Sequence, residues 1–281
     1  MIHIHSTLPT HFLLRQYVRM YYTGYGRIDR LNSECIAKSY ASGSSYLVFV
    51  FENGTMGIEN EYNRLIFKSK VYLVTGYFQP TSLCLHMHDL NYFIVMLYPH
   101  TIYTLFGISL EELQNQFDLD ADVLGQPWIY EMHEKMYTMQ DHRLRTNLFE
   151  MYLLRYISKN NVYFDPKINY ILYKNNFLKL NELSQTLGYS NRYIQNLVKI
   201  NTNMTYTQYR NIRQFQVANQ LIISSKTKIN FSKIAVATHY TDQSHMIHSF
   251  KKFTQKTPKE LLDESKKLLI SNVYYFTGVI E

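Results

Sequence analysis

Cysteine is scarce in this 281-residue chain: Cys35 and Cys84 are too few for a disulfide framework, and no CxxC pair is present. Long apolar runs are missing too. None approaches the roughly 20 residues that a spanning helix needs, so no membrane partner is expected. Nor is a leader peptide, and the natural expectation is a soluble cytoplasmic protein. The hydroxyl-rich N-terminal region offers no nucleophile elbow, phosphate-binding glycine loop or zinc-protease histidine pair. No enzyme and no cofactor are therefore expected, and the two cysteines are read as buried structural thiols.

Hydrophobic residues make up 46% of the chain, enough for real cores, and 26 Tyr and 16 Phe enrich them in aromatics. The net charge of +7 is unevenly spread. Residues 1–173 hold 14 Lys and Arg against 16 Asp and Glu, whereas residues 174–281 hold 15 against 6. A basic final third beside a neutral remainder suggests a polyanion-binding module joined to a sensor or partner module.

The first part reads as β structure. "SSYLVFVFENG" is a strand ending in the turn signal Asn53-Gly54, and "RLIFKSKVYLVTGY" and "SLCLHMHDLNYFIVMLYP" supply further strands. Breaks are expected at Gly76, at Pro80 and at Asp89-Leu90-Asn91. Such spacing points to a small antiparallel barrel or sandwich. After Pro99 a short helix is expected within "TIYTLFGISLEELQNQF", with Ser109 as cap and Glu112 completing a capping box. A helical connector follows from about Trp128 to Lys159. Its apolar stripe (Met132, Met136, Met139, Leu144, Leu148, Met151, Leu154) serves an intramolecular seam or, in the sharper reading, a homodimer interface. Asp165-Pro166 then opens a new helix with Pro at its first position, and everything to about Ser265 reads as helix.

Within that region "LNELSQTLGYSNRYIQNLVK" has the plan of a helix-turn-helix. Leu180, Leu183 and Leu187 form a buried face, Gly188 supplies the positive φ of a tight turn, and Ser190 can cap the next helix. Tyr193, Ile194, Leu197 and Val198 are expected inward. Arg192, Gln195 and Asn196 are left outward, and these side-chain types can pair with guanine and adenine edges. A second copy, "FSKIAVATHYTDQSHMIHSFKKF", lies 51 to 52 residues downstream. His239 stands where Gly188 stood, the turn is one residue longer, and Thr241 or Asp242 can cap a helix presenting Gln243, Ser244 and His248. Between the copies "TYTQYRNIRQFQVANQLIIS" is free of Gly and Pro and apolar at Tyr209, Ile212, Phe215, Ala218 and Ile222, which predicts a continuous linking helix.

Residues 166–265 resemble the DNA-binding domain of the AraC/XylS family of bacterial transcription regulators. The resemblance is carried by "LSQTLGYSNRYIQNLVK", "YRNIRQFQVANQLI" and above all "YTDQSHMIHSFKKFTQKTPKEL". Asn203 and Gln255 replace glycines frequent after the two reading helices, and His248 replaces a frequent arginine. "LLRQYVRMYY", "SGSSYLVFVFENG" and "NYFIVMLYPHTIYTLFGISLEEL" are similar to the sensor-like domain attached to some members, implying a cupin-like barrel.

The resulting expectation is an α+β chain. A cupin-like sensor or partner domain spans 1–126, a helical connector with dimerisation helices 127–164, an all-α DNA-binding domain 165–265, and a tail 266–281. The resemblance implies base reading of a double-stranded operator by Arg192, Gln195 and Asn196 in one major groove and by Gln243, Ser244 and His248 in the next. Ser190, Lys199, Thr241, Lys251 and Lys252 are expected on phosphates. RNA polymerase and a small-molecule effector are the further partners. The alternative is a cupin-type metalloenzyme with a helical appendage, resting on His86 and His88, which alternate onto one face of a strand, with His3 and His5 as further candidates.

Overall fold

A computed structural model describes residues 2–27, 37–39, 43–51, 55–59, 64–68, 70–75, 83–87, 89–113, 119–175, 177–225 and 229–267. They divide into two compact units, one drawn from Met1–Cys35, Ser44–Gly76 and Cys84–Phe164, the other from Ile36–Gly43, Tyr77–Leu83 and Asp165–Glu281.

The strands are β1 (Ile2–Thr7), β2 (Val18–Arg27), β3 (Ala37–Ser39), β4 (Ser45–Val50), β5 (Thr55–Glu59), β6 (Arg64–Lys68), β7 (Val71–Val74), β8 (Leu83–Met87), β9 (Asp89–Leu97) and β10 (Leu119–Asp120). Six of them form one sheet in the order β1-β2-β9-β4-β7-β10, with its strands paired antiparallel. A second antiparallel ladder sets β5 between β6 and β8. The order of the six-stranded sheet is linear, so its own ladder does not close into a barrel. β4 is buried along its whole length, which is why it reads as an unbroken apolar run instead of an alternation. Its Leu47 and Phe49, with Phe93 and Val95 of β9, face the core. The break expected at Asp89-Leu90-Asn91 is absent. Those residues pair with Arg27, Gly26 and Tyr25 of β2, and ladder hydrogen bonds override the local turn preference. Gly24 of β2 lies opposite Tyr92, whose ring occupies the space a Cβ would need.

The helices of this unit are α1 (Thr101–Phe106), α2 (Trp128–Met136) and α3 (His142–Lys159). The helix expected after Ser109 lies before it instead. Gly107 ends α1 at φ 70°, and Ser109 only caps a turn by accepting from the Glu111 amide. Helices α2 and α3 pack into the same core as the sheet through Ile129, Met132, Met136, Phe149, Tyr152 and Leu153. Leu148 and Leu154 lie against that core half-buried, whereas Leu144 and Met151 remain 54% and 49% exposed. The stripe is thus partly a seam and partly open.

Buried polar groups stitch α3 to the strands. Arg145, fully buried, donates to the Tyr92 carbonyl and to Asn91 Oδ1, and its guanidinium lies 4.0 Å from the Phe51 ring centroid. Burial pulls its pKa down to about 10. Glu150 accepts from the amides of Thr10 and His11 and from the Thr10 hydroxyl.

In the second unit the Asp165 carboxylate accepts from the Lys167 amide ahead of α4 (Pro166–Asn169), the helix start that Asp165-Pro166 predicts. A π-helical turn, Tyr170–Lys174, continues it. Then come α5 (Leu180–Leu187), α6 (Asn191–Thr202), α7 (Tyr206–Ser224), α8 (Phe231–Ala237), α9 (Gln243–Thr254) and α10 (Pro258–Lys267). Helix α7 is the predicted continuous rod, about 28 Å long at 1.5 Å per residue. It buries Tyr209, Ile212, Phe215, Ala218 and Ile222 as its pattern requires.

Candidate nucleic-acid interface

The turn between α5 and α6 forms because Gly188 takes φ 68° and Ser190 accepts from the Tyr193 amide. Ser184 donates to the Tyr189 carbonyl, closing α5 against the turn. In the second copy His239 adopts φ 60°, nearly the conformation of Gly188. Two bonds from Gln214 Nε2 of α7, to the carbonyls of Thr238 (3.2 Å) and His239 (3.0 Å), hold that turn. Asp242, not Thr241, caps α9, accepting from the His245 amide at 2.7 Å. Asn203 and Gln255, standing where glycines were expected, end α6 and α9 at φ 55° and 60°.

The duplication goes deeper than the motif. Asn191, first residue of α6, donates to Asn181, second residue of α5, at 2.7 Å. Gln243, first residue of α9, accepts from Ser232, second residue of α8, also at 2.7 Å. Thr202 and Thr254 each donate back to the carbonyl four residues earlier. Each also accepts from the amide two residues on. Thr205 with Gln208 and Thr257 with Glu260 then form the same reciprocal cap at the starts of α7 and α10. So α10 repeats the first turns of α7, and the repeating unit is three helices long. By this register Ser244 is the counterpart of Arg192 and His248 of Asn196, while Gln243 matches Asn191.

Arg192, Asn196 and Lys199 are exposed on α6, and Ser244, His248, Lys251 and Lys252 on α9. Ser190 and Thr241 are exposed beside the helix starts. Gln195 is only half-exposed: its Oε1 accepts from the Tyr206 amide at 2.9 Å, tying α6 to the start of α7. Ile194 and Val198 are buried as expected, but Tyr193 is 39% exposed and packs on Tyr189, ring centroids 4.8 Å apart. Lys167 Nζ lies 5.6 Å from the Tyr189 ring. The ring hydroxyl beside that ammonium is the main cause raising its pKa. Sequence patterning missed Tyr193 and also His245, exposed one turn into α9 with Nδ1 3.3 Å from Thr241 Oγ1. A small polar residue at the second position of both first helices, Asn181 and Ser232, was the available signal for the interhelical clamps.

Helix α7 holds both α6 and α9. Beyond the Gln195–Tyr206 bond, Phe215 meets Phe250 and Phe253 of α9 at centroid distances of 5.0 and 5.1 Å. Such ring pairs contribute about 0.5–1.5 kcal/mol each beyond their burial. The orientation of α6 and of α9 is therefore set by core contacts and hydrogen bonds, leaving the outer face exposed.

Other sequence candidates lie elsewhere. His88 is outside the described residues, as are Cys35 and the side chains of His86 and Cys84. His3 stacks on Tyr25, and His5 lies between Tyr25 and His142. Among the described residues no group of three His, Cys, Asp or Glu is disposed to hold a metal ion, and no helix is long and apolar enough to cross a membrane.

A family model of a helix-turn-helix domain matches residues 183–264. Among solved structures the chain is similar to apo ToxT from Vibrio cholerae, 11% identical over 93% of this chain and 97% of that one, with a TM-score of 0.43. The C-terminal domain of the two-component response regulator yesN from Fusobacterium nucleatum is 25% identical over 34% of this chain and 95% of its own, with a TM-score of 0.31. The xylose-binding transcription activator xylR is 22% identical over 36% of this chain and 28% of its own, with a TM-score of 0.31. No curated protein matches the chain. Both motifs and their linking helix fall on the segment that the helix-turn-helix family model matches, residues 183–264.

Proposed function

We propose that this chain is a sequence-specific double-stranded DNA-binding regulator of bacterial transcription, acting in the cytoplasm. The observation that carries the reading is the repeated three-helix unit, with matching hydrogen bonds in both copies and one unbroken α7 between the readers. Helix α6 enters one major groove and α9 the next on the same duplex face, entries about 34 Å apart on B-DNA. Arg192 and Asn196 read guanine and adenine edges, and Ser244 and His248 read the second box. Gln195 and Gln243 join them by offering Nε2 to base edges while each Oε1 keeps its present donor, the Tyr206 amide and the Ser232 hydroxyl. Ser190, Lys199, Thr241, Lys251 and Lys252 hold phosphates and supply affinity without sequence choice.

Residues 1–126 serve as the sensor or partner domain, binding a small effector, and 127–164 as the helical connector. There the exposed Leu144 and Met151 of α3 offer a homodimer contact. Residues 165–265 read DNA and engage RNA polymerase at the promoter, and 266–281 form a tail. Selection of bound sites from random duplexes by the full chain tests the reading. The expected product is two short conserved boxes about one helical turn apart; recovery of sequences with no shared box would refute it.

A further inference from the structure

Two ring-bearing residues of the helical unit take a left-handed backbone that bulky side chains disfavour, Phe177 and His239, both at φ 60°. Phe177 lies in the loop that leads into α5, and His239 in the turn between α8 and α9. Their rings meet, with centroids 5.8 Å apart and planes tilted by 50°. The loop ahead of the first motif thus touches the turn of the second directly. Helix α7 supports both from one face, through Tyr206, Arg210 and Gln214, which recur every four residues. The Tyr206 hydroxyl donates to the Leu178 carbonyl at 2.7 Å, and Arg210 Nε to the Phe177 carbonyl at 2.6 Å. One turn further on, Gln214 Nε2 reaches the carbonyls of Thr238 and His239. Successive turns of one helix therefore clasp first the loop and then the turn.

We propose that His239 is a positioning residue: through Phe177 it fixes the angle between α6 and α9, and so the spacing at which two boxes on one duplex are read. Backbone strain of this kind persists where the surroundings over-determine it. Glycine would form the second turn with less strain, as Gly188 forms the first. A ring is needed only for the contact. Helix α7 holds α6 and α9 each to the rod, and one attachment apiece leaves them free to tilt against each other. The ring pair ties motif to motif at a second point and removes that freedom. The spacing role rests on the DNA-reading proposal; the fixed angle does not.

His239→Asn keeps a residue that tolerates the left-handed turn and removes the ring. Nitroxide labels on Lys199→Cys of α6 and Lys251→Cys of α9 report the distance between the helices by pulsed electron paramagnetic resonance, without DNA. The full chain is used, with Cys35→Ser and Cys84→Ser. The distance distribution should broaden in His239→Asn and in Phe177→Asn, broaden no further when the two are combined, and narrow again in His239→Tyr. In duplex competition His239→Asn should keep its affinity for a single box. Its preference for the selected spacing, over spacers one base pair longer or shorter, should fall about two- to tenfold, the worth of one ring pair. An unchanged distribution in both variants overturns the proposal, as does an unchanged spacing preference on duplexes that the wild type binds. Effects that add in the combined variant also overturn it, because the two residues would then act separately. If the wild type binds no duplex, the DNA reading fails and the distance distribution alone decides. Should one variant lose its far-UV circular dichroism, the other decides.

Discussion

Arg192 has a short list of tasks: it is exposed at the start of α6, opposite the buried Ile194 and Val198. Replacing it by Ala should cost about 1–3 kcal/mol on the preferred duplex and relax the choice at one base pair. Competition binding against single-position variants measures this, and equal loss on every duplex would make Arg192 a phosphate contact. His100 is the opposite kind of residue, wholly buried, with Nε2 2.8 Å from the Gln16 carbonyl. A carbonyl only accepts, so Nε2 carries the proton of a neutral ring. Burial is the larger cause holding its pKa down at about 4, against the opposing carbonyl bond. The unfolded chain, with an ordinary histidine, binds the extra proton first. This contribution to stability is therefore complete above about pH 6.5 and falls away as the pH drops toward 4, by up to about 3 kcal/mol. His142, also lowered mainly by burial, adds to the same trend. Denaturant midpoints of wild type and His100→Asn between pH 7 and 4.5 should diverge at the upper end and converge at the lower.

At the scale of elements, the left-handed helix ends are the informative places. Gln255 takes φ 60° beyond α9, a conformation that costs a residue with a Cβ about 1–2 kcal/mol. Gln255→Gly should raise stability by up to about 1 kcal/mol in thermal melts, while the same change at an ordinary helical site lowers it. The paired interhelical clamps predict a different result. Asn181→Ala and Ser232→Ala remove the partners of Asn191 and Gln243 on exposed surface, so stability should move by less than about 1 kcal/mol. Duplex affinity should fall through a faster off-rate, readable by stopped-flow dissociation, because each reader loses its fixed rotation. Element types were largely legible in the sequence. The long α7 announced itself by an apolar period of 3.6 with no Gly or Pro, and α4 by Asp165-Pro166. The misplaced helix near Ser109 shows where local signals compete: a good capping box is outweighed by Gly107 ending α1 and by the packing of Ile102 and Leu105 in the core.

For the molecule as a whole, charge predicts behaviour more than shape does. Fifteen Lys and Arg against six Asp and Glu in residues 174–281 imply affinity that falls steeply with salt. Lys252→Ala should weaken binding to all duplexes alike and lower the log–log salt slope by about one. Filter-binding across a salt series checks this, and a sequence-dependent loss would move Lys252 to the base-reading set. The described residues from 165 onward have their own core, centred on Phe215, Ile222, Phe250 and Phe253. Expressed alone, they should shift labelled duplex DNA in a salt-dependent way; a fragment that folds but fails to shift it would assign the contacts to the rest of the chain.

Periodicity, turn residues and the repeated motif were enough to identify the helical unit, its two helix-turn-helix motifs and the rod between them. Each of those features rests on interactions within a few residues, and local chemistry is written in local order. The tertiary structure decided what depends on residues far apart. It turned Gln195 onto the start of α7, left Tyr193 on the surface, made His239 tenable through Gln214, and packed α2 and α3 into the core of the sheet. It also ran β9 straight through Asp89-Leu90-Asn91, because the partner strand that stabilises it lies more than sixty residues earlier. Spacing can predict that a face is polar. Which of its side chains remain open to a base is settled by the hydrogen bonds the rest of the fold has already claimed.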